Sequence, residues 1–208
     1  MRYQCRWLCP QHAATTPKQI AAHDIAIQKA PAANEIWADL MAGNKRFVAG
    51  TPKARNLVKL RGDLAKDQHP KVVVLACSDS RVAPELLFDQ SLGDLFVVRS
   101  AGNIADAIGV GSVEYAVEHL GSSVLVILGH TKCGAVTAAC SKEKMPTPNL
   151  QAIVDKISPA VSRARRVAKQ DALIETAIQE NIHHKRDRCA CNERRAASLC
   201  RRRQTDCF

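Results

Sequence analysis

The chain has 208 residues, a length typical of one domain or of one domain with appended arms. No apolar run approaches the ~20 residues that a transmembrane helix needs, so we expect no membrane span. Half of the net charge of +10 lies in residues 183–208. No nucleic-acid-binding motif stands beside this basic segment, so we interpret it as solvated and expect no nucleic-acid partner.

The nine cysteines are unevenly distributed, and only Cys77, Cys133 and Cys140 lie in the body of the chain. Two of these three stand in motifs with other ligand-type residues. This favours a reducing compartment and a metal site over a disulfide scaffold. The first residues lack the apolar core of a secretory signal, so we expect a cytoplasmic protein. The absence of Asp and Glu before Asp24 leaves an organellar transit peptide open.

The first elements predicted along the chain are helical. Residues 1–33 are expected to form a partly disordered arm. A helix is predicted to begin at Glu35 after the capping residue Asn34 and to end at Gly50. A second helix is predicted around 57–66.

Three continuous apolar runs follow, at 72–76, 94–98 and 124–128. Runs of this kind predict strands that are buried on both faces, as in a parallel sheet. Apolar residues at helical spacing predict a helix over 113–120. The order of elements is typical of an α/β fold, with a mostly parallel central sheet flanked by helices and an N-terminal helical arm.

The end of the chain has a different composition. Two more helices, at about 149–168 and 171–182, complete a predicted domain over 34–182. Residues 183–208 then lose apolar periodicity and become rich in Arg and Cys. No strand is predicted in this basic, Cys-rich tail.

Two groups of chemically active residues directly follow predicted strands. Cys77, Asp79 and Arg81 come after the first strand, and His130 and Cys133 come after the third. The carboxyl ends of parallel strands lie at one edge of the sheet, and a crevice opens there where the strand order reverses. The two groups are therefore expected to meet, although 53 residues separate Cys77 from His130.

Two thiolates and one imidazole are favoured ligands of zinc, and three protein ligands leave the open position of a catalytic site. His130 and Cys133 are three residues apart and can reach one ion from a single turn. Arg81 can orient Asp79, which can accept a proton or a hydrogen bond from water. Each motif alone is weak evidence, because a lone Asp-x-Arg is most often a loop ion pair. The signal is their coincidence behind two parallel strands.

These residues resemble the β-class carbonic anhydrases over about residues 34–181. The blocks that carry the resemblance are Ala76–Val82, Gly93–Arg99, Ala101–Asn103, Ser112–Val117 and Gly129–Ala135.

The resemblance implies zinc-dependent, reversible hydration of carbon dioxide to bicarbonate and a proton. It implies that Cys77, His130 and Cys133 hold the zinc ion. It also implies an Asp79–Arg81 dyad, with Asp79 as a fourth zinc ligand in the closed state that some family members adopt at low pH.

Further roles are implied for residues around the metal. Gln68 and the backbone N–H of Gly134 are expected to stabilise the bicarbonate oxygens, and Phe96 and Tyr115 to line a narrow substrate pocket. The family resemblance also implies a homodimer or a higher even oligomer, with the active site near the subunit interface.

The sequence departs from the family after residue 182. Family members continue with another helix and a late strand, and this C-terminal strand is missing from the pattern here. An out-of-frame translation or an unrelated tail would produce such a change. An uncovered sheet edge would favour aggregation.

Two alternatives remain beside carbon dioxide hydration. One is a related zinc hydrolase acting on carbonyl sulfide or carbon disulfide, and the other is an inactive zinc-binding homologue with an interaction role. Parallel assays on the three substrates separate them. A dinucleotide-binding domain is disfavoured, because the stretch 109–114 lacks the third glycine of that fingerprint.

Overall fold

The computed structural model describes residues 3–8, 33–141, 143–192 and 205–207. Most of the expected arm of residues 1–33, and most of the tail beyond residue 192, lie outside this described part. Among the described residues, no helix combines the length and apolar character that crossing a membrane requires.

The helices and strands alternate along most of the chain. In chain order they are β1 (Tyr3–Leu8), α1 (Ala33–Ala49), α2 (Leu57–Asp63), β2 (Val72–Cys77), α3 (Pro84–Leu87), β3 (Leu95–Ser100), α4 (Ala107–Glu118), β4 (Val124–His130), α5 (Gly134–Cys140), α6 (Pro148–Val167), a 3-10 turn (Gln170–Ala172), α7 (Leu173–Asn192) and β5 (Thr205–Cys207). The α/β fold predicted from the sequence is confirmed.

The sheet has the strand order β3-β2-β4-β1-β5. Strands β3, β2 and β4 are parallel, with Val72 level with both Leu95 and Val124. Every residue of β2 and β4 is buried, as the continuous β-branched runs predict, whereas the edge strand β3 is half-buried. Because β2 lies between β3 and β4, the direction of the strand order reverses at β2.

Helices cover this parallel core. Helix α4 packs on β2 and β3, and α7 packs on β4 and on α6. The largest fully buried side chains include Phe88, Leu40, Leu75, Ile127, Leu128, Ile157 and Ile178. Helix α7 lies close to the carboxyl end of β4, where Ile178 and Ile182 pack beside Gly129, and α6 packs on α7 and α5.

Two strands at the far side of the sheet were not predicted. Strand β1 pairs antiparallel with β4, and β5 pairs antiparallel with β1. The alternation of Tyr3, Cys5 and Trp7 with polar residues is nevertheless typical of a strand. The expectation that the tail holds no strand therefore fails at Thr205–Cys207, and β1 covers the β4 edge.

The end of the last helix also differs from expectation. Helix α7 continues ten residues beyond the predicted end at 182. Its added turns contain neither Gly nor Pro and include the good helix formers Lys185, Arg186, Arg188 and Ala190, so helix propensity continues although the apolar pattern stops.

Candidate metal centre

The parallel register places the two ligand motifs side by side. Cys77 is the last residue of β2 and His130 is the last residue of the neighbouring β4. Lys132 then adopts a left-handed backbone with φ of 58°, which is uncommon for a residue with a side chain. This tight turn leads to Cys133 at the start of α5.

Cys77, His130 and Cys133 form one buried group. Their candidate ligand atoms all lie within 4.8 Å of one another. The exposed fractions of the three residues are 5%, 1% and 2%. Donor atoms this close, from two adjacent strand ends, can converge on one ion.

The hydrogen bonding of His130 leaves one ring nitrogen for a ligand. Nδ1 lies 2.9 Å from the carbonyl oxygen of Thr131, so the proton is assigned to Nδ1 and is donated to that oxygen. Nε2 is buried and has no hydrogen-bond partner in the described part of the chain. This tautomer, fixed by a backbone carbonyl, is the arrangement found in metal-ligating histidines.

The two thiols are coupled to each other. The hydrogen bond between Cys133 and Cys77 holds the pKa of Cys77 well below the usual range of a thiol and raises the pKa of Cys133. A bound cation would allow both sulfurs to be thiolates, so metal binding would release a proton.

Backbone N–H groups surround both sulfurs. The N–H of Gly102 donates to Cys77 Sγ at 3.3 Å. The N–H groups of Ala135 and Val136, in the first turn of α5, donate to Cys133 and lower its pKa against the larger effect of Cys77. Donors of this kind hold a thiolate in place without competing for the metal.

Arg81 holds the carboxylate of Asp79 through two side-chain hydrogen bonds. Arg81 Nε donates to Oδ1 at 2.8 Å and Nη2 donates to Oδ2 at 2.6 Å. This fork holds the pKa of the Asp79 carboxyl well below its usual range. Asp79 Oδ2 lies 3.8 Å from His130 Nε2, so the ionised carboxylate borders the group of ligands.

Arg99 supports the same segment from the end of β3. Its Nε donates to the carbonyl oxygen of Cys77 at 3.0 Å, and its Nη2 donates to that of Asp79 at 2.7 Å. The sequence reading gave Arg99 no role. A charged residue at the end of an apolar strand, level with the first ligand motif, was the available signal.

The structure does not bring every predicted residue to this group. Gln68 is exposed and precedes β2, at the opposite edge of the sheet from Cys77. Phe96 is near the start of β3, and its ring lies 6.3 Å from that of Tyr115 on α4. Gly134 does lie at the group, as the first residue of α5, and its Cα faces open space.

The donor set fits a metal ion. Two sulfurs and an imidazole nitrogen suit a borderline-soft divalent ion such as zinc. Such an ion accounts for the buried His130 Nε2 that lacks a hydrogen-bond partner among the described residues. With only three protein ligands, a fourth position remains for water or substrate.

Comparison with known proteins places these features in one family. The sequence model of a family described as carbonic anhydrase matches residues 72–203. Carbonic anhydrase 2 of Mycobacterium tuberculosis (strain CDC 1551 / Oshkosh) is 41% identical over 152 residues, which cover 70% of this chain and 73% of that protein.

Solved structures share the fold. The β-carbonic anhydrase CcaA matches 79% of this chain and 77% of its own, with 26% identity and a TM-score of 0.57. One of the tetrameric β-carbonic anhydrases of Sordaria macrospora matches 79% of this chain and 80% of its own, with 21% identity and a TM-score of 0.55. The second likeness concerns the fold alone.

Proposed function

The chain belongs to the β-carbonic anhydrase family, and on that premise we propose that it catalyses the reversible hydration of carbon dioxide with zinc held by Cys77, His130 and Cys133. The observation that carries the proposal is the buried ligand group, in which His130 Nε2 has no hydrogen-bond partner among the described residues. A structural histidine this deeply buried would be expected to satisfy both ring nitrogens.

A zinc ion with three protein ligands supplies Lewis acidity, which lowers the pKa of water enough to give a nucleophile near neutral pH. The chain's own residues prepare the surroundings. Because its pKa is held low, Asp79 stays ionised and can only accept hydrogen bonds. We assign it the role of orienting the attacking water, with Arg81 fixing the direction of its two oxygens.

Gly134 is proposed to hold an oxygen of bicarbonate through its backbone N–H. It directly follows the ligand Cys133, and the absence of a side chain leaves the space above its Cα open. A preorganised N–H at the place where negative charge develops stabilises the transition state.

The remaining predicted residues favour an assembly of two or more copies. Gln68, Phe96 and Tyr115 lie away from the ligand group of their own chain, and Tyr115 is 49% exposed on a helix surface. We propose that the active form is a homodimer or a higher even oligomer, in which these residues approach the ligand group of a second copy.

The direct test is the variant Cys133→Ala, with Cys140→Ala as a matched control. Cys140 is another thiol on α5, but it is not part of the ligand group. We expect Cys133→Ala to lose bound zinc. Its rate of carbon dioxide hydration in stopped-flow assays should fall by more than roughly 100-fold, since loss of a ligand should cost more than loss of a group that only orients one. Cys140→Ala should keep both.

Full activity of Cys133→Ala without bound metal would overturn the proposal. Parallel assays with carbonyl sulfide and carbon disulfide measure whether the same ligand group acts on related substrates. Activity on those two substrates, with none on carbon dioxide, would also overturn it.

A further inference from the structure

A buried asparagine on α7 lies one residue away from a metal-ligating sulfur. Asn181 is 1% exposed. Its Nδ2 donates to the carbonyl oxygen of Gly102 at 2.9 Å and to Asn103 Oδ1 at 3.3 Å. Gly102 in turn donates its own N–H to Cys77 Sγ. The side chain of Asn181 therefore holds Gly102 in place, and Gly102 donates to Cys77 Sγ.

The position of Gly102 accepts only glycine, because both its backbone and its neighbours exclude a side chain. Its φ of +72° lies in the left-handed region that favours glycine. A Cβ added there would meet Ile157 Cδ1 at 2.6 Å and Ala135 Cβ at 3.1 Å. With packing on one side and the Asn181 amide on another, the N–H of Gly102 is directed at the sulfur.

Helix α7 contacts the same loop a second time. Arg188 Nε donates to the carbonyl oxygen of Ala105 at 2.9 Å. Arg188 follows Asn181 by seven residues, which places both on one face of the helix. The loop between β3 and α4 is thus fastened to α7 at two points, and Asn181 is the point nearer the metal centre.

The hydrogen bonding of Asn181 is one-sided. Both contacts use Nδ2 as the donor, while Oδ1 is buried without a hydrogen-bond partner among the described residues. A buried amide oxygen without a partner carries a desolvation penalty. The contacts of Asn181 are therefore the two that its Nδ2 donates, and the one to Gly102 leads to the sulfur.

We propose that Asn181 is a positioning residue for the metal centre, which fixes the Gly102 N–H against Cys77 Sγ and so sets the orientation of this thiolate toward the ion. The inference rests on the proposed function. N–H groups that donate to ligand atoms orient them and tune the metal, and the removal of such partners commonly weakens metal affinity 10–100-fold.

The test compares Asn181→Leu with Asn44→Leu. Asn44 is a matched control because it is also buried and also donates through Nδ2 to a backbone carbonyl, that of Leu87, at 3.0 Å. Leu87 is on α3, outside the ligand group. Each purified protein is stripped of metal and titrated with cobalt(II), and the thiolate-to-cobalt absorption band, the cobalt affinity and the zinc affinity are measured.

We expect Asn181→Leu to shift the absorption band and to weaken the affinity for both metals roughly 10–100-fold. Both variants should lower the unfolding temperature by similar amounts. Asn44→Leu should nevertheless keep the wild-type absorption band and metal affinities. A purely structural role for Asn181 predicts that the two variants behave alike, and that result would overturn the inference.

A smaller change guards against misfolding of the leucine variant. Asn181→Ser keeps a donor but is too short to reach Gly102 as the amide does, so its band should shift in the same direction by less. An unchanged band in folded Asn181→Ser counts against the inference. If the wild-type chain binds neither cobalt nor zinc at one ion per chain, the proposed function itself fails. If the wild-type chain binds metal and the Asn181 variants bind it unaltered, only the inference about Asn181 fails.

Discussion

At the scale of single residues, the Asp79–Arg81 pair orients the Asp79 carboxylate more than it stabilises the fold. The Arg81 side chain is 53% exposed, and exposed ion pairs contribute little to folding. Both of its contacts with the carboxylate are nevertheless short, and its Nη2 also approaches the carbonyl oxygen of Lys132. Arg81 therefore links the segment after Cys77 with the turn that carries Cys133.

The variant Arg81→Met should reduce kcat/KM for carbon dioxide hydration about 10–100-fold, because Asp79 loses the fork that orients it. The metal content should stay at the wild-type level, since all three ligands remain. Stopped-flow kinetics and metal analysis on the same preparation check both expectations. A fall in metal content would assign Arg81 to the integrity of the site instead.

A matched control for this variant is Arg163→Met. Arg163 pairs with Glu180 through Nε at 3.0 Å, between α6 and α7, and touches none of the three ligands. It should leave kcat/KM unchanged. An equal loss of activity in both variants would mean that the effect of Arg81 is not specific to Asp79.

At the scale of secondary structure, the two halves of α7 bury different kinds of side chain. Its first half buries Ala177, Ile178 and Ile182 as an ordinary amphipathic helix would. Its second half buries Lys185, whose Nζ donates to the carbonyl oxygen of Lys156 at 2.7 Å. A buried ammonium group whose hydrogen-bond partner is a neutral carbonyl oxygen is costly, because desolvation opposes its charge.

The stability of the protein should therefore depend on pH through Lys185. Burial, followed by the charges of Arg188, Lys156 and Arg163, lowers the pKa of Lys185 to about 8 from 10.5. Between these two values the unfolded chain binds a proton that the folded chain has released, so stability rises with pH in this window. Below pH 8 the full penalty is present.

The variant Lys185→Met should be more stable than the wild type at pH 7, by about 1–3 kcal/mol, after allowance for the hydrogen bond that Lys156 loses. The difference should shrink as the pH rises from 8 towards 10.5. Urea unfolding at several pH values measures this difference.

The control Lys59→Met removes an exposed lysine of α2, and it should change the free energy of unfolding by less than about 0.5 kcal/mol. If the stability difference between Lys185→Met and the wild type stayed constant with pH, the assignment of the pH dependence to Lys185 would be contradicted.

At the scale of the whole molecule, local patterns predicted the three parallel strands but not the antiparallel strands β1 and β5. The runs of Val, Leu and Ile in β2 and β4 are readable because a strand buried on both faces needs nothing but apolar residues. The ligand motifs follow those runs directly, so their meeting could be derived. The distance of Gln68 and Tyr115 from Cys77 depends on the path of the whole chain, which no local pattern contains.

The same limit applies to the sheet edge and to the loop that holds Cys77. The alternation in residues 3–7 indicates a strand, but its partner β4 lies more than 100 residues away in the chain, and no local pattern identifies that partner. The contact between Asn181 and Gly102 joins residues 79 positions apart, and a lone Asn in a helix carries no signal of its own.

Replacement of residues 3–8 by a Gly/Ser sequence of equal length should uncover the edge of β4. An open, apolar strand edge is a template for pairing with other chains, so we expect larger species and faster aggregation at elevated protein concentration. Light scattering against the wild-type protein at matched concentration checks this. Identical scattering from both proteins would show that β1 does not protect the edge.

The strand order also determines when during folding the metal centre can exist. Strand β4 is the last of the three parallel strands in the sequence, yet it lies beside β2, the first of them. Pairing between segments so far apart in the chain is slow, since loop closure must precede any favourable contact. His130 can join Cys77 only once β4 has docked. The rate at which a refolding chain takes up metal therefore measures how fast β4 pairs with β2. The ion binds after these strands have paired and does not direct their pairing.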